Sequence, residues 1–412
     1  MPLVHPLVIL GAFAALLMVR RVGGRAVPAW AAAVAGGLLV LATGGISPQE
    51  AAAAIDWGVL ATLGGLFVVG AGLGRSRLAD AALARLDALP LSGPVIAGLL
   101  AAIALLSALV TNDAVAVVGA PFLVRLARHR DLPPEPLLVL LMAGVTTGSV
   151  ASPIGNPQNL LIAASPVLDA PFAGFLVHLG PPTLAALLAV LVLVRLAYPG
   201  LFGAAPPGER GADRVETRDL RRDLPVVLSL GVLGVLVVAG VVTGLSTDLP
   251  ALPPIAIALA AAAPLLLLGP DRRELLAGVD WRTLVLFVGL FVMTAGVRSS
   301  GLAEASFGEA GGSVAILMAV AVAGSQVVSN VPLVAIALPF VEPGGTTALM
   351  ALAAGSTIAG HVTLLGAASN LIVVESAGRM GETVRARAFT AIGLVLVVVQ
   401  GFCYWGWLSL VG

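Results

Sequence analysis

The sequence predicts an all-α polytopic membrane protein made of two inverted-topology repeats, each with five transmembrane helices and one re-entrant hairpin, with broken helices at the midplane. Three observations carry this prediction. Apolar runs of spanning length recur from end to end, several of them contain prolines, glycines and amides, and an ordered set of polar landmarks occurs twice. Of 412 residues, 59% are hydrophobic and 11% charged, and the mean hydropathy is +1.05, far from a soluble domain. The formal net charge is zero, so no nucleic acid partner is implied. Cys403 is the only cysteine, which excludes an internal disulfide or a cysteine metal cluster. No GxxxxGKS/T, HExxH or GxSxG sequence occurs, so ATP drive and the common hydrolase chemistries are not expected. The expectation is a transporter and not an enzyme, without a cofactor.

Membrane segments are predicted near residues 3 to 19, 28 to 46, 56 to 73, 92 to 127, 136 to 163 and 172 to 197, then 225 to 244, 251 to 269, 281 to 297, 312 to 340, 346 to 374 and 388 to 411. In the first segment the arginines follow the apolar run, the reverse of a cleaved signal peptide, so it reads as a span with its N-terminus outside. Residues 92 to 127 and 312 to 340 are too long for one crossing and carry polar residues at mid-length, so both read as re-entrant hairpins. Residues 76 to 88 mix charge with spaced Leu and Ala and read as a surface helix. The polar stretch Gly203 to Asp223 is the one candidate linker.

Basic residues test this layout. With both hairpins returning to the side they entered, 21 of the 22 fall inside, from Arg20 to Arg387, and Arg298 alone falls outside. The chain is therefore expected in the cell membrane with both termini outside and the central linker cytoplasmic. Counting either hairpin as a full span would swap the later loops and break the rule.

The two halves share landmarks in the same order. "DWGVLATLGGLFVVGAGLGRSRLAD" (Asp56 to Asp80) aligns without gaps on "DWRTLVLFVGLFVMTAGVRSSGLAE" (Asp280 to Glu304), including an Asp-Trp pair in a chain with five tryptophans. "TNDAVAVVGAPF" (Thr111 to Phe122) matches "SNVPLVAIALPF" (Ser329 to Phe340), and Ala143 to Ser165 matches Ala354 to Ser376. Five spans in each half, an odd number, would give the halves opposite orientation.

Proline inside a helix costs about 3 kcal/mol, and irregular backbone at membrane depth survives only in a cavity wall or buried in protein. Pro153, Gly155 and Pro157 therefore predict an unwound segment beside a wet site, with Asn156 and Asn159 in it. Gly366, Ser369 and Asn370 mark its counterpart, which has no proline. The hairpin tips, Thr111-Asn112-Asp113 and Ser329-Asn330, supply the facing wall. Helix N-termini there suit an anion, while unwound carbonyls and the oxygens of Asn, Ser and Thr suit sodium. Both groups of polar residues also make ordinary caps and turns.

The quoted motifs resemble the ion transporter superfamily, which includes arsenite permeases, a class of sodium/proton antiporters and the divalent anion/sodium symporters. "PIGNPQN" is the most specific part, and it is similar to the anion-permease branch. The resemblance spans nearly the whole chain. It implies scaffold helices 1–90 and 225–305, transport parts 91–199 and 306–412 around a linker at 200–224, and elevator-like movement of the transport part. It also implies that Asn112 and Asn330 match the Asn of the dicarboxylate symporters' Ser-Asn-Thr tips, and Thr111 and Ser329 their Ser. The Thr is replaced by Asp113 and Val331, a departure from the dicarboxylate pattern. Asn159 and Asn370 match the asparagine closing the unwound segment. Sodium is thus expected at Asn112, Asp113 and Asn159, and at Asn330 and Asn370.

Ionisable groups within the membrane are functional candidates by default. Asp113 could ligate sodium or carry a proton, and His361, in the second break, is the other proton-coupling candidate. Asp56 and Asp280 are expected to cap equivalent spans, and Glu375 to face water. The main expectation is a secondary transporter for a small anion or weak acid, coupled to sodium or protons. The competing one is a sodium/proton antiporter with Asp113 as carrier. The partners expected are a small anionic substrate and the bilayer, and any homodimer would form through the scaffold helices.

Overall fold

An apolar chain in hydrocarbon can satisfy its backbone only through helices or a closed barrel, and this one chooses helices. The computed structural model describes residues 21–22, 25–203, 220–246, 249–269, 271–299 and 313–412. The predicted segment at 3 to 19, most of the linker and the end of the second Asp-Trp repeat lie outside the described residues. A two-residue ladder pairs Arg21–Val22 with Arg25–Ala26. All other regular structure among the described residues is helical.

The first half comprises α1 (Ala29–Ala42), α2 (Pro48–Ala54), α3 (Trp57–Arg75), α4 (Leu78–Asp87), α5 (Gly93–Leu109), α6 (Asn112–His129), α7 (Glu135–Ser149), α8 (Pro157–Ala163) and α9 (Pro171–Ala197). The second comprises α10 (Leu220–Leu245), α11 (Pro254–Leu268), α12 (Arg272–Ala277), α13 (Trp281–Ser299), α14 (Val314–Val328), α15 (Asn330–Val341), α16 (Gly345–Ile358), α17 (Ala368–Arg379) and α18 (Ala386–Val411). Both long segments fold as helical hairpins, α5–α6 and α14–α15. The surface stretch at 76 to 88 is α4, and Asp56 caps α3 by accepting from the Val59 N–H at 2.9 Å. Asp280 caps α13 through the Thr283 N–H at 3.1 Å. Two short helices, α2 and α12, occupy connections between predicted membrane segments. A single 3-10 turn, Glu342–Gly344, separates α15 from α16, with Gly345 at φ 72°.

Helix packing repeats between the halves. Hairpin arm α5 packs on α7 as α14 packs on α16, and α9 packs on its counterpart α18. More telling is an exchange: α1 packs on α13, and α11 packs on α3. A Cβ at Gly65 would lie 2.9 Å from the Ala258 carbonyl oxygen, and one at Gly289 would lie 2.5 Å from the Ala33 carbonyl carbon. Gly65 and Gly289 are aligned positions in the repeat. Reciprocal contact of this kind is what a two-fold relation produces. Within each half the match is equally close, since a Cβ at Gly144 would meet Leu100 and Ile103, and one at Gly355 would meet Met318 and Ala321.

These close approaches carry a testable cost. Gly289→Leu should push α1 from α13 and destabilise the fold by about 1–3 kcal/mol or more, as overpacking does. Gly64→Leu, at a position with nothing within 4 Å of a built Cβ, should be tolerated. Monodispersity on size exclusion after detergent extraction distinguishes them, and equal behaviour would contradict the packing.

At the end of the molecule rich in arginine, ion pairs tie the halves together. Arg128, near the end of α6, donates to Glu382 at 2.8 Å, and Arg385 pairs with Glu135 at the start of α7 at 2.9 Å. Single exposed pairs contribute little, so their role is to fix position.

Candidate functional site

Each hairpin turns on a non-glycine residue at positive φ, Thr111 at 142° and Ser329 at 72°. Such conformations cost of order 1–3 kcal/mol and concentrate where structure serves function. At the first tip Thr111 caps α6, its hydroxyl oxygen accepting from the Ala114 N–H at 3.3 Å. The Asn112 N–H donates to the Gly155 carbonyl in the first break at 2.8 Å, so tip and break are joined directly. Ser329 makes no side-chain cap bond.

The breaks show how the chain tolerates unwound backbone at depth. α7 ends at Ser149 and α8 starts at Pro157, which frees the carbonyls between them. Asn159 Nδ2 donates to the carbonyls of Ser149 at 3.0 Å, Val150 at 3.3 Å and Ser152 at 3.0 Å. In the second half Asn370 Nδ2 donates to Gly360 at 2.7 Å and Thr363 at 3.4 Å. The offsets along the chain, ten and seven residues, are the same in both. One amide therefore does the same job twice, with and without nearby proline. Asn156 caps α8 by accepting from the Asn159 N–H at 2.8 Å, and its Nδ2 donates to the hydroxyls of Ser149 at 3.2 Å and Thr357 at 3.3 Å. Thr357 in turn donates to Asn159 Oδ1 at 3.4 Å, which binds the first break to α16. Gly155 is pressed against the Ser149 carbonyl, leaving no room for a Cβ.

Tips and breaks meet at one cavity of about 530 Å³. Asn112 and Asp113 line it from the first tip, and Ser329 and Asn330 from the second. Pro157 and Gln158 come from the first break, and Leu365, Ala367 and Ala368 from the second. α6, α8, α15 and α17 all begin at its wall. The longer three, α6, α15 and α17, direct the positive ends of their dipoles toward it. Asp113 is the only charged side chain among the described lining residues. Asn112 Oδ1, Asp113 Oδ1 and Asn330 Oδ1 are buried and have no protein partner, so each can serve a bound ion or a hydrogen-bond donor.

Six predicted residues do not line this cavity, nor does Thr111, which caps. Gly155, Asn156, Asn159, Gly366, Ser369 and Asn370 lie behind it in the break structure. Ser369 and Asn370 are fully buried, and their Oγ and Oδ1 atoms lack partners. Of the residues expected to hold sodium, Asn112, Asp113 and Asn330 face the cavity, while Asn159 and Asn370 spend their amides on backbone carbonyls. His361 also lies away from the cavity. It is fully buried, with Nε2 3.3 Å from the Thr147 hydroxyl, to which Gln400 donates at 2.9 Å. Glu375 is exposed and lies 3.8 Å from Arg379.

Two polar lining residues were not anticipated, Gln158 and Thr283. Gln158 lies in the first break between Pro157 and Asn159, so its amide and its place in the sequence both signal it. Thr283 had no signal beyond following Asp280-Trp281. Its hydroxyl donates to Asp280 Oδ2 at 2.6 Å, which leaves its oxygen able to accept from the cavity. No group of three or more His, Cys, Asp or Glu side chains able to hold a metal occurs among the described residues.

Comparison with known proteins places this architecture. Residues 13–344 match the citrate transporter family. The chain is 28% identical over 373 residues, 84% of its length and 85% of the relative's, to a transporter of Mycobacterium tuberculosis. It is 28% identical over 421 residues to the silicon efflux transporter LSI3 of Oryza sativa subsp. japonica, covering 85% of each chain. To the inner membrane protein YbiR of Escherichia coli it is 29% identical over 356 residues, 82% of this chain and 87% of the relative. Its fold is similar to the crystal structure of the YdaH transporter of Alcanivorax borkumensis, with a TM-score of 0.62 and 18% identity over 98% of both chains. Among the described residues six helical stretches, one of them running through α15 and α16, are long and apolar enough to cross a bilayer. The chain therefore belongs to the citrate transporter family, within the ion transporter superfamily its motifs resemble, and is a multi-pass membrane transporter and not an enzyme.

Proposed function

We propose that the protein is a secondary active transporter that moves a small anion or weak acid across the cell membrane, driven by a sodium or proton gradient. The observation that carries the reading is the single cavity in which both tips, both breaks and Asp113 meet. Helix N-termini there favour the anion, and the unpartnered oxygens of Asn112, Asp113 and Asn330 favour a cation or proton beside it. The family's description names citrate, an organic anion, and the rice relative's name silicon, whose simple hydroxide in water is a weak acid. Both fit the class without choosing between its members.

The reciprocal packing of α1 on α13 and α11 on α3 supports inverted repeats, and with them alternating access. Movement would follow the division into scaffold and transport parts, elevator fashion. The arginine distribution supports both termini outside and the linker cytoplasmic. On that orientation the cavity lies toward the inner side, because Val27 and Thr283 in its lining follow Arg25 and Arg282.

A second reading, a sodium/proton antiporter, draws on the lining itself, where among the described residues Asp113 is the only charged side chain and none is basic to hold an anion. One experiment separates them. Reconstituted protein is tested with citrate, succinate, sulfate, phosphate, silicic acid and arsenite under imposed sodium and pH gradients. At least one of these should move, and Asp113→Asn should abolish the dependence on the driving ion. Proton release from the lumen on adding sodium alone, with no solute moving, would establish the antiporter, and coupling retained in Asp113→Asn would remove that residue from the mechanism.

A further inference from the structure

α13 carries a cavity at each end. Thr283 stands at the first, and fifteen residues further, about 22 Å along the helix, Arg298 stands at a second cavity of about 250 Å³. α8 and α15 connect the same two places. Each starts at the first cavity, at Pro157 and Asn330, and the residues after each, Ser165 and Glu342, line the second. Three helices thus form the wall between the two cavities.

Arg298 Nη2 pairs with Glu342 Oε2 at 2.8 Å, and the Ser165 hydroxyl donates to Glu342 Oε1 at 2.9 Å. Glu342 is shielded, its side chain 11% exposed, while that of Arg298 is 47% exposed and stands at the mouth. The bridge joins the scaffold helix α13 to the end of the second hairpin, and Ser165 extends it to the end of the first broken segment. Arg298 is also the one basic residue that the arginine distribution leaves outside.

We propose that the second cavity is the outer vestibule of the transport path, closed here by the Arg298–Glu342–Ser165 latch, and that Arg298 receives the anion when the latch opens. The inference rests on the transport reading and orientation above. Guanidinium binds carboxylates and oxyanions in the same forked geometry, so an incoming anion replaces Glu342 without changing the number of charges Arg298 faces. Arg298 itself is half exposed, so an anion from solvent can reach it while Glu342 stays shielded. In the conformation described, the inner cavity is formed and the latch is shut, as alternating access requires.

The test needs no knowledge of the substrate. In a Cys403→Ala background, Ala335→Cys places a thiol in the vestibule, where Ala335 is 4% exposed. Ala295→Cys is the substitute should that variant fold poorly. Right-side-out vesicles are treated with membrane-impermeant methanethiosulfonates, one anionic (sulfonatoethyl) and one cationic (trimethylammonioethyl). Glu342→Gln should speed labelling several-fold by shifting the latch toward open, and should raise the ratio of anionic to cationic labelling several-fold, because it removes one of the two carboxylates, Asp56 and Glu342, that line the cavity with Arg298. Adding Arg298→Gln should keep the speed and lose the raised ratio. Unchanged labelling in Glu342→Gln overturns the latch, and a raised ratio that survives Arg298→Gln overturns the anion site. Labelling only from the opposite face overturns the outer assignment while leaving the inner cavity, tested by transport, untouched.

Discussion

Asn112→Ala and Asn330→Ala should each bring transport to background while leaving folded protein in the membrane. Both amide oxygens are buried, face the cavity and have no partner in the protein. Removing them therefore costs the fold little and costs a bound ion or substrate a great deal. A hydrogen bond to a charged group contributes about 1.5–3 kcal/mol, so each loss corresponds to about 10- to 100-fold in affinity. Uptake and a detergent melting curve on the same preparations check this, and unchanged uptake in both variants would remove the tips from the site.

Asn159→Ala should show the opposite signature, loss of the protein rather than of one step. Its side chain is fully buried and serves the carbonyls of Ser149, Val150 and Ser152, at the end of α7 and in the break that follows it. The Ser149 and Ser152 carbonyls keep second donors, the N–H groups of Ser152 at 3.4 Å and Gly155 at 3.3 Å, so the loss falls on the Val150 carbonyl and on the Thr357 hydroxyl that donates to Asn159 Oδ1, at about 1–3 kcal/mol for each buried group left without its partner. Asn370→Ala should be milder, because Asn370 serves two carbonyls and its own oxygen is already without a partner. Melting temperature and extractable yield should therefore rank wild type above Asn370→Ala and Asn370→Ala above Asn159→Ala. The reverse order would mean that these asparagines do not hold the breaks.

The breaks also show what could be read in advance and what could not. Prolines 153 and 157 in an apolar run conflict with a continuous helix, so the first break was legible from residue type alone. The second has no proline and was legible only through the repeat, yet Asn370 satisfies it at the same chain offsets as Asn159. What residue type could not tell was direction. An asparagine in an unwound segment can turn its amide to a ligand or to the backbone. Asn112 and Asn330, at the tips, turn theirs to the cavity, while Asn159 and Asn370 turn theirs to backbone carbonyls. Which occurs depends on where the freed carbonyls point, and that is set by packing between halves, as with Thr357 of α16 reaching both Asn156 and Asn159. His361 drew attention as an ionisable group at depth but is pressed against Gly393 and bonded to Thr147. Thr283 reaches the cavity only because α13 packs on α1 from the other half. A threonine in an apolar helix carries no mark of that. The connecting helices α2 and α12 are too short to leave a periodic signal.

The convergence of both halves on one binding cavity is tested most directly by protection. Gln158→Cys from the first break and Val331→Cys from the second tip, each in a Cys403→Ala background, are labelled in inside-out vesicles while the transported anion is titrated. Both thiols should be protected at the same half-maximal concentration, and that concentration should match the one that half-saturates transport. Protection of only one, or of neither while transport saturates, would contradict a shared site.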